Sequence, residues 1–185
     1  LDDGFQDHSI RKNLNILCFN SKQLVGNGWL FPSGPLRETL NSIKRVKIIV
    51  INGDRNIIFE EKVFKISKDI KIFYSKYLPA NLNEFKNKKI LAFAGIGNPE
   101  NFFDLLKDNK LNVKKTLSYP DHYNFTEFDI QKIVNLSKKD NLEIVTTEKD
   151  FYRIQDYRIK EIKFLKIDLK ILDKENFINQ IINNI

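Results

Sequence analysis

The chain has 185 residues, of which 42% are hydrophobic and fifteen are phenylalanine, so it can form a packed core and is not expected to be disordered. Its single cysteine excludes an internal disulfide framework and a cysteine-based zinc site, and no apolar run approaches the roughly 20 residues that span a bilayer. The net charge of +7 would suit anionic partners, but lysine is spread along the whole sequence, which favours a general compositional bias and a solvated basic surface.

Short apolar runs alternate with segments of helical period along the chain. The predicted strands are Asn15–Phe19, Val46–Ile51, Ile57–Phe64, Ile70–Tyr74, Ile90–Ala94, Val113–Ser118, Glu143–Thr147 and Lys163–Ile167. The predicted helices are Pro99–Asp108, Glu127–Lys138 and Lys174–Asn183. Asn98 and Thr126 precede the first two helices and are expected to cap them. Cys18 lies within the first predicted strand, where we expect a buried thiol.

Strands and helices alternate from residue 90 onward. This alternation predicts an α/β fold with a largely parallel sheet flanked by helices. Residues 52–88 contain strand-like runs with no helix between them, so we predict a strand-rich segment there. The chain is accordingly divided into residues 1–51, 52–88 and 89–185. Ligands of open α/β sheets bind beyond the carboxyl ends of the strands, so the residues that follow each strand are the candidates for chemistry.

Two segments near the amino terminus carry candidate binding residues. Asp2 and Asp3 are adjacent acids before a glycine; carboxylates of this kind hold Mg²⁺ in phosphoryl-transfer enzymes, and a solvated turn is the alternative. Residues 26–38 form a loop rich in glycine and proline, whose free N–H groups can cradle anionic oxygens while Arg37 grips a phosphate. An ordinary turn with Arg37 paired to an acid is the alternative. Trp29 in this loop either packs inward or meets a lipid or sugar face.

Asp121 and His122 directly follow a predicted strand and precede a helix. At such a place an imidazole can take a proton from an attacking hydroxyl, or tune a neighbouring carboxylate that does so. A structural histidine at a turn is the alternative.

Two further motifs also follow predicted strands. In Thr-Thr-Glu-Lys-Asp, Lys149 can neutralise phosphate charge and Thr147 can cap the next helix, although a plain helix start explains most of the segment. The Gly-Ile-Gly of residues 95–97 lacks the third glycine of the dinucleotide fingerprint and is no Walker loop, so a tight turn explains it equally well.

Taken in order, five blocks closely resemble the tetraacyldisaccharide 4′-kinase (lipid A 4′-kinase) family. The blocks are Asp-Asp-Gly-Phe-Gln, Gly-Asn-Gly with Pro-x-Gly-Pro-Leu-Arg-Glu, Ala-Phe-Ala-Gly-Ile-Gly-Asn-Pro, Pro-Asp-His and Thr-Thr-Glu-Lys-Asp, and they run from residue 2 to residue 150. The resemblance implies a P-loop NTPase-like fold and ATP-dependent phosphorylation of the 4′-hydroxyl of the lipid A disaccharide-1-phosphate precursor, with ATP and Mg²⁺. It also implies a place on the cytoplasmic face of the bacterial inner membrane.

The resemblance further implies a role for each segment and for each candidate residue. Residues 1–51 would be the remainder of the nucleotide-binding core with the substrate loop, 52–88 a linker, and 89–185 the C-terminal α/β domain. His122, with Asp121, would partner a catalytic aspartate outside this chain and deprotonate the sugar hydroxyl. The remaining roles would be Mg²⁺ binding by Asp2 and Asp3, ATP binding by Lys149 and Thr147, and substrate binding by Arg37, Glu38, Asn27 and Gly28.

The chain departs from the family pattern in two ways. Asp7 stands where the family usually has histidine, and His8 follows it, which puts the role of that histidine in doubt. The sequence also contains no methionine and no Walker-type phosphate loop. We therefore expect part of a longer enzyme, inactive without its N-terminal half.

Two other functional classes remain open. A non-catalytic domain that binds the lipid A precursor would retain the substrate loop without nucleotide binding. A nucleic-acid-binding protein would explain the charge, but no basic stripe or known motif supports it, so we expect no nucleic-acid partner.

Overall fold

The computed structural model describes residues 3–184. The chain divides into two compact units, the first formed by Leu1–Leu78 with Leu169–Ile185 and the second by Pro79–Asp168. These limits differ from the predicted division at residues 51 and 88. That division assigned functional roles to segments of the chain, and it stays a prediction.

The first unit is built on a four-stranded sheet of order β1-β2-β3-β8. Its strands are β1 (Ile16–Asn20), β2 (Ile48–Asn52), β3 (Lys71–Pro79) and β8 (Ile167–Ile171). The pairs β1–β2 and β2–β3 are parallel. Helices α1 (Ile57–Ile66) and α5 (Lys174–Ile182) cover the sheet. Phe59 and Val63 of α1 pack with Ile49 and Ile51, whereas α5 packs with the alternate β2 residues.

The second unit has a four-stranded sheet of order β5-β4-β6-β7. Its strands are β4 (Lys89–Ala94), β5 (Asn112–Ser118), β6 (Glu143–Thr147) and β7 (Ile162–Leu165), and each neighbouring pair is parallel. The helices are α2 (Pro99–Asp108), α3 (Glu127–Asp140) and α4 (Glu148–Arg153).

Strand β4 is buried on both faces, as expected for a central strand of a parallel sheet. Successive side chains of a strand point to opposite faces. Ile90 and Ala92 therefore join the cluster formed with α2, whereas Leu91 and Phe93 join the cluster formed with α3. Short 3₁₀-helices lie at Leu40–Arg45, Leu82–Glu84 and Gln155–Tyr157.

The predicted α/β class with largely parallel sheets and flanking helices is confirmed. Asn98 and Thr126 cap α2 and α3 as predicted, the latter in a full capping box with Asp129. The predicted strand Lys163–Ile167 is found as two strands, β7 and β8. In the described part of the chain, no helix has the length and apolar content needed to cross a membrane.

The strand predicted at Ile57–Phe64 was wrong, because these residues form α1. Asn56 caps the helix by accepting a hydrogen bond from the Phe59 N–H at 2.9 Å. Phe59 and Val63, four residues apart, face the sheet, while Ile57 and Ile58 are 60% and 69% exposed. The middle segment is therefore a helix followed by one long strand, and it is not strand-rich.

The buried thiol predicted at Cys18 was also wrong. β1 is an edge strand of its sheet, and alternate positions along it, including Cys18, are exposed. An apolar sequence run does not reveal which face of an edge strand is covered.

Candidate active site

Three parallel strand ends bring the candidate residues of the second unit together. β4 is followed by Gly95, β5 by the turn that carries Asp121 and His122, and β6 ends at Thr147. β4 lies between β5 and β6 and pairs with both in parallel. Parallel strands end at the same side of a sheet, so motifs far apart in sequence meet there. We call this group, with Lys149, Asp150 and Arg153, the second-unit edge.

Asp150 is the buried centre of the second-unit edge and is 0% exposed. Its Oδ2 accepts hydrogen bonds from the Gly95 N–H and the Thr147 hydroxyl, both at 2.8 Å. Its Oδ1 accepts from Nη1 of Arg153 at 3.0 Å. The Asp150 N–H donates to Oγ1 of Thr147 at 3.1 Å, which caps α4. Burial of a carboxylate is costly unless it is paired and hydrogen-bonded, and these contacts meet that condition.

Arg153 connects the buried carboxylate to the imidazole of His122. Its Nη1 also donates to the carbonyl oxygen of Gly95 at 3.0 Å, and its Nη2 lies 2.9 Å from Nδ1 of His122. The Arg153 side chain is 24% exposed, whereas that of His122 is 72% exposed. A mostly buried guanidinium thus holds one nitrogen of an accessible imidazole.

Asp121, His122 and Lys149 form the accessible part of the edge. Oδ1 of Asp121 accepts a hydrogen bond from the His122 N–H at 2.9 Å, and Oδ2 lies 3.8 Å from Nε2 of His122. Nζ of Lys149 lies 3.9 Å from Oδ1 of Asp121. His122 has a left-handed φ of 58°, a conformation in which histidine is found several times more often than most residues. The structure therefore joins three of the predicted site residues at one solvent-accessible place.

An aromatic cluster supports the turn that carries His122. The rings of Tyr119 and Tyr123 lie 4.9 Å and 5.1 Å from the ring of Phe125. The Tyr123 hydroxyl donates to Asp129 at 3.2 Å. Burial raises the pKa of the Tyr119 phenol, and hydrogen bonds from the N-cap threonine lower the pKa of Asp129. The turn is thus fixed to the start of α3.

In the first unit, Asp3 and Arg37 bind each other. Nη1 of Arg37 lies 2.7 Å from Oδ2 of Asp3, and the two side chains are 63% and 69% exposed. An ion pair this exposed contributes little to stability. Asp2, the other predicted Mg²⁺ ligand, lies outside the described residues. Within residues 3–184, no group of three or more His, Cys, Asp or Glu side chains is arranged to hold a metal.

The loop of residues 26–36 is closed by its own backbone and by Asn27. Nδ2 of Asn27 donates to the Ser33 carbonyl at 2.9 Å, and Oδ1 accepts from the Trp29 N–H at 3.1 Å. At Gly34, a Cβ would lie 2.3 Å from Oδ1 of Asn27 and from the Trp29 carbonyl oxygen, so only glycine fits. Gly28 has a φ of 78° and open space around it. Asn27 therefore shapes the loop.

The tip of this loop exposes three large apolar side chains. Trp29, Leu30 and Phe31 are 66%, 42% and 79% exposed. Trp29 thus does not pack inward, which was one of its two predicted placements.

Glu38 belongs to a second cluster of the first unit. Its Oε2 accepts a hydrogen bond from Arg45, whose guanidinium lies 4.5 Å from the centre of the Phe5 ring and 3.1 Å from Nε2 of His8. Its Oε1 is buried. Among the described residues, it is the one buried side-chain nitrogen or oxygen atom that lacks a hydrogen-bond partner. Asp7 caps a local turn by accepting from the Ser9 N–H at 2.9 Å.

A cleft of about 350 Å³ in the first unit is lined by Asp3, Arg37 and Glu38, together with Phe5 and Leu36. It brings together three of the predicted residues of this unit. Asn27 and Gly28 do not line it.

Sequence reasoning missed Asp150 and Arg153 as parts of the site. Both lie on α4, three residues apart, so they share a helix face. Asp150 was within the Thr-Thr-Glu-Lys-Asp motif, but its burial and its contact with Gly95 depend on the packing of β4 against β6.

A sequence model of the tetraacyldisaccharide-1-P 4′-kinase family, LpxK, matches residues 1–185. The chain belongs to this family. A tetraacyldisaccharide 4′-kinase of Pelagibacter ubique is 41% identical over 98% of the chain and 59% of its own length. One from Bartonella quintana is 34% identical over the whole chain and 55% of its own length. The chain thus spans little more than half the length of the kinases it matches.

A solved LpxK structure has the same fold. The crystal structure of LpxK from Aquifex aeolicus in complex with ATP covers 98% of this chain with a TM-score of 0.66 and 24% sequence identity, and the chain covers 56% of that protein. The predicted α/β fold with largely parallel sheets is therefore shared with a solved member of the family.

Proposed function

We propose that this chain forms part of an ATP-dependent kinase that phosphorylates the 4′-hydroxyl of a tetraacyldisaccharide 1-phosphate, the lipid A precursor. The observation that carries the proposal is the second-unit edge, where Asp121, His122 and Lys149 meet beyond the carboxyl ends of parallel strands. His122, with Asp121 beside it, partners a catalytic carboxylate outside this chain in removing the proton from the attacking hydroxyl. Lys149 would neutralise phosphate charge of ATP, and Thr147 would contribute by fixing the start of α4, which it caps.

The first unit supplies Mg²⁺ and substrate contacts in this proposal. Mg²⁺ is usually held by one or two carboxylates, with water and phosphate oxygens completing its shell, so Asp3 together with Asp2 suits it without a larger ligand cluster. When bound, the ion would neutralise the charge of the phosphate groups. Arg37 exchanges Asp3 for the existing phosphate of the substrate, since their exposed ion pair is weak.

Glu38 and the loop complete the proposed substrate site. The unpaired Oε1 of Glu38 is a buried acceptor that a sugar hydroxyl can satisfy. Asn27 contributes by holding the loop in shape, and Gly28 by its left-handed backbone with a φ of 78°. The same features would support the second candidate, a domain that binds the precursor without phosphorylating it.

We also propose that the enzyme works at the inner-membrane surface, on its cytoplasmic face, where a four-chain lipid and ATP are both accessible. The exposed apolar tip formed by Trp29, Leu30 and Phe31 supports this, because it belongs to the same loop segment that leads into Arg37. Tryptophan, whose apolar ring carries one N–H donor, is enriched at membrane interfaces.

The functional division into residues 1–51, 52–88 and 89–185 is part of the proposal. The 185 residues contain no Gly-x-x-x-x-Gly-Lys-Ser/Thr motif, so we propose that the rest of a family-length enzyme supplies the phosphate-binding loop. These residues alone are then expected to be inactive.

The test is ATP-dependent phosphorylation of tetraacyldisaccharide 1-phosphate by the family-length enzyme that contains these residues. We expect His122→Ala to lower kcat by about 10²- to 10⁴-fold, the usual contribution of a positioned proton-transfer group. Lys107→Ala, an exposed position near the end of α2, is the control and should change kcat little. Wild-type kcat in the His122→Ala variant would refute the assignment, and precursor binding without any ATP binding would favour the non-catalytic candidate.

A further inference from the structure

The contact between Arg153 and His122 has a definite hydrogen-bond direction. Nη2 of Arg153 lies 2.9 Å from Nδ1 of His122. A guanidinium has only N–H donors and stays charged in proteins, so Nδ1 is the acceptor. A neutral imidazole that accepts at Nδ1 carries its proton on Nε2.

Arg153 is itself held in place from the protein interior. Its Nη1 donates hydrogen bonds to the Gly95 carbonyl oxygen and to Oδ1 of Asp150, both at 3.0 Å. Asp150 is fully buried and is fixed by the Gly95 N–H and the Thr147 hydroxyl. These contacts fix the guanidinium in place. The exposed imidazole of His122 is therefore held by its hydrogen bond to Arg153.

We infer that Arg153 is a positioning residue that keeps His122 as the Nε2–H tautomer, with Asp150 anchoring Arg153. Nδ1 is occupied, and Nε2 presents a proton toward the solvent-accessible side where Asp121 lies 3.8 Å away. His122 in this state donates a hydrogen bond and cannot accept the hydroxyl proton, which goes to the catalytic carboxylate outside this chain that His122 orients. The kinetic consequence rests on the proposed function, whereas the tautomer does not.

The tautomer can be measured directly by long-range ¹H–¹⁵N correlation spectra of the protein, because the chain has only two histidines. His8→Gln removes the other imidazole and assigns the signals. We expect the Nε2–H pattern for neutral His122 in the wild type and a mixed or Nδ1–H pattern in Arg153→Met. The wild-type spectrum can overturn the inference by itself, so this arm keeps its force even if Arg153→Met fails to fold. An Nδ1–H pattern in the wild type would overturn it.

A kinetic arm separates this inference from the proposed function. In an active form of the enzyme, Arg153→Met should lower kcat by about 10- to 100-fold, part of the contribution of a positioned proton-transfer group, with KM for ATP within about twofold. Arg153→Lys, which retains a charge and a donor, should recover part of the loss. Arg158→Met, an exposed arginine of the same segment, is the matched control.

The outcomes of the two arms are distinct. If His122→Ala lowers kcat and Arg153→Met does not, the positioning role is wrong while the proposed function stands. If neither variant lowers kcat, the catalytic use of His122 fails and the role of Arg153 in catalysis fails with it, even with an Nε2–H tautomer.

Discussion

The two groups of candidate residues are built in different ways. At the second-unit edge, the accessible His122 is tied through Arg153 to Asp150, a carboxylate with no exposed surface. In the first unit, Asp3 and Arg37 are both more than half exposed and bind each other.

This difference fits the roles proposed for the two groups. Buried, fully hydrogen-bonded groups fix a side chain before the ligand arrives, which suits a residue that must be oriented for proton transfer. An exposed ion pair is weak and can be exchanged for a phosphate or a metal ion at little cost. The following substitutions test the contrast, beginning with the largest expected effect on stability.

Asp150→Ala should destabilise the protein by about 3–5 kcal/mol, because it leaves the mostly buried Arg153 without its carboxylate and removes the partner of the Gly95 N–H. Urea unfolding measures the change. The exposed Asp156→Ala on the neighbouring turn is the control, with an expected change within about 0.5 kcal/mol. Equal decreases in the free energy of unfolding in the two variants would show that the Asp150 contacts stabilise the protein no more than an exposed carboxylate does.

Gly34→Ala should open the loop of residues 26–36 and cost about 1–3 kcal/mol, because the new Cβ would lie 2.3 Å from the Trp29 carbonyl oxygen. Trp29 is the single tryptophan, so its fluorescence reports the loop directly. Gly28→Ala meets open space and should cost only the left-handed backbone penalty, about 1–2 kcal/mol, with a wild-type emission spectrum. An unchanged spectrum in Gly34→Ala would contradict the described loop geometry.

Phe31→Ser should weaken binding to vesicles of phosphatidylethanolamine and phosphatidylglycerol by about tenfold, because partial burial of one aromatic side chain contributes on the order of 1.5 kcal/mol. Co-sedimentation measures binding, and a blue shift of Trp29 emission marks insertion of the loop. Phe31 is 79% exposed and Phe128 is 78% exposed, so Phe128→Ser is a matched control. If both variants bind like the wild type, the loop tip is not the membrane contact.

Asp129→Asn should have the smallest effect, and that effect should depend on pH. Hydrogen bonds from Thr126 hold the pKa of Asp129 below its ordinary value of 3.8. A lowered folded-state pKa stabilises the protein above pH 3.8, and this contribution is lost as the pH falls through the folded-state pKa. Urea midpoints should therefore differ between wild type and variant at pH 7 and converge once the pH has fallen below the folded-state pKa of Asp129. A difference that persists unchanged at low pH would refute the electrostatic origin.

Much of the fold was predictable from local sequence signals. Asn98 before Pro99, and Thr126 three residues before Asp129, correctly placed the starts of α2 and α3. These signals succeed because a cap satisfies backbone N–H groups within its own first turn and needs no distant partner. The order of the five motifs likewise predicted the family.

The failures lie where distant packing decides. The run Ile57-Ile58-Phe59 has strong strand propensity, but the cap at Asn56 and the contact of Phe59 and Val63 with β2 favour a helix. Tertiary context overrides propensity when one face of a segment can be buried.

The sequence by itself determined the capped starts of α2 and α3, the α/β class and the family, since each depends on neighbouring residues or on their order. Only the tertiary structure decided that Gly95, His122, Asp150 and Arg153 form one hydrogen-bonded group. His122 follows β5, Gly95 follows β4, and Asp150 and Arg153 follow β6, and these ends meet only because the three strands are adjacent and parallel. The burial of Asp150 then makes its pairing with Arg153 obligatory, because an unpaired carboxylate inside the protein is too costly to retain.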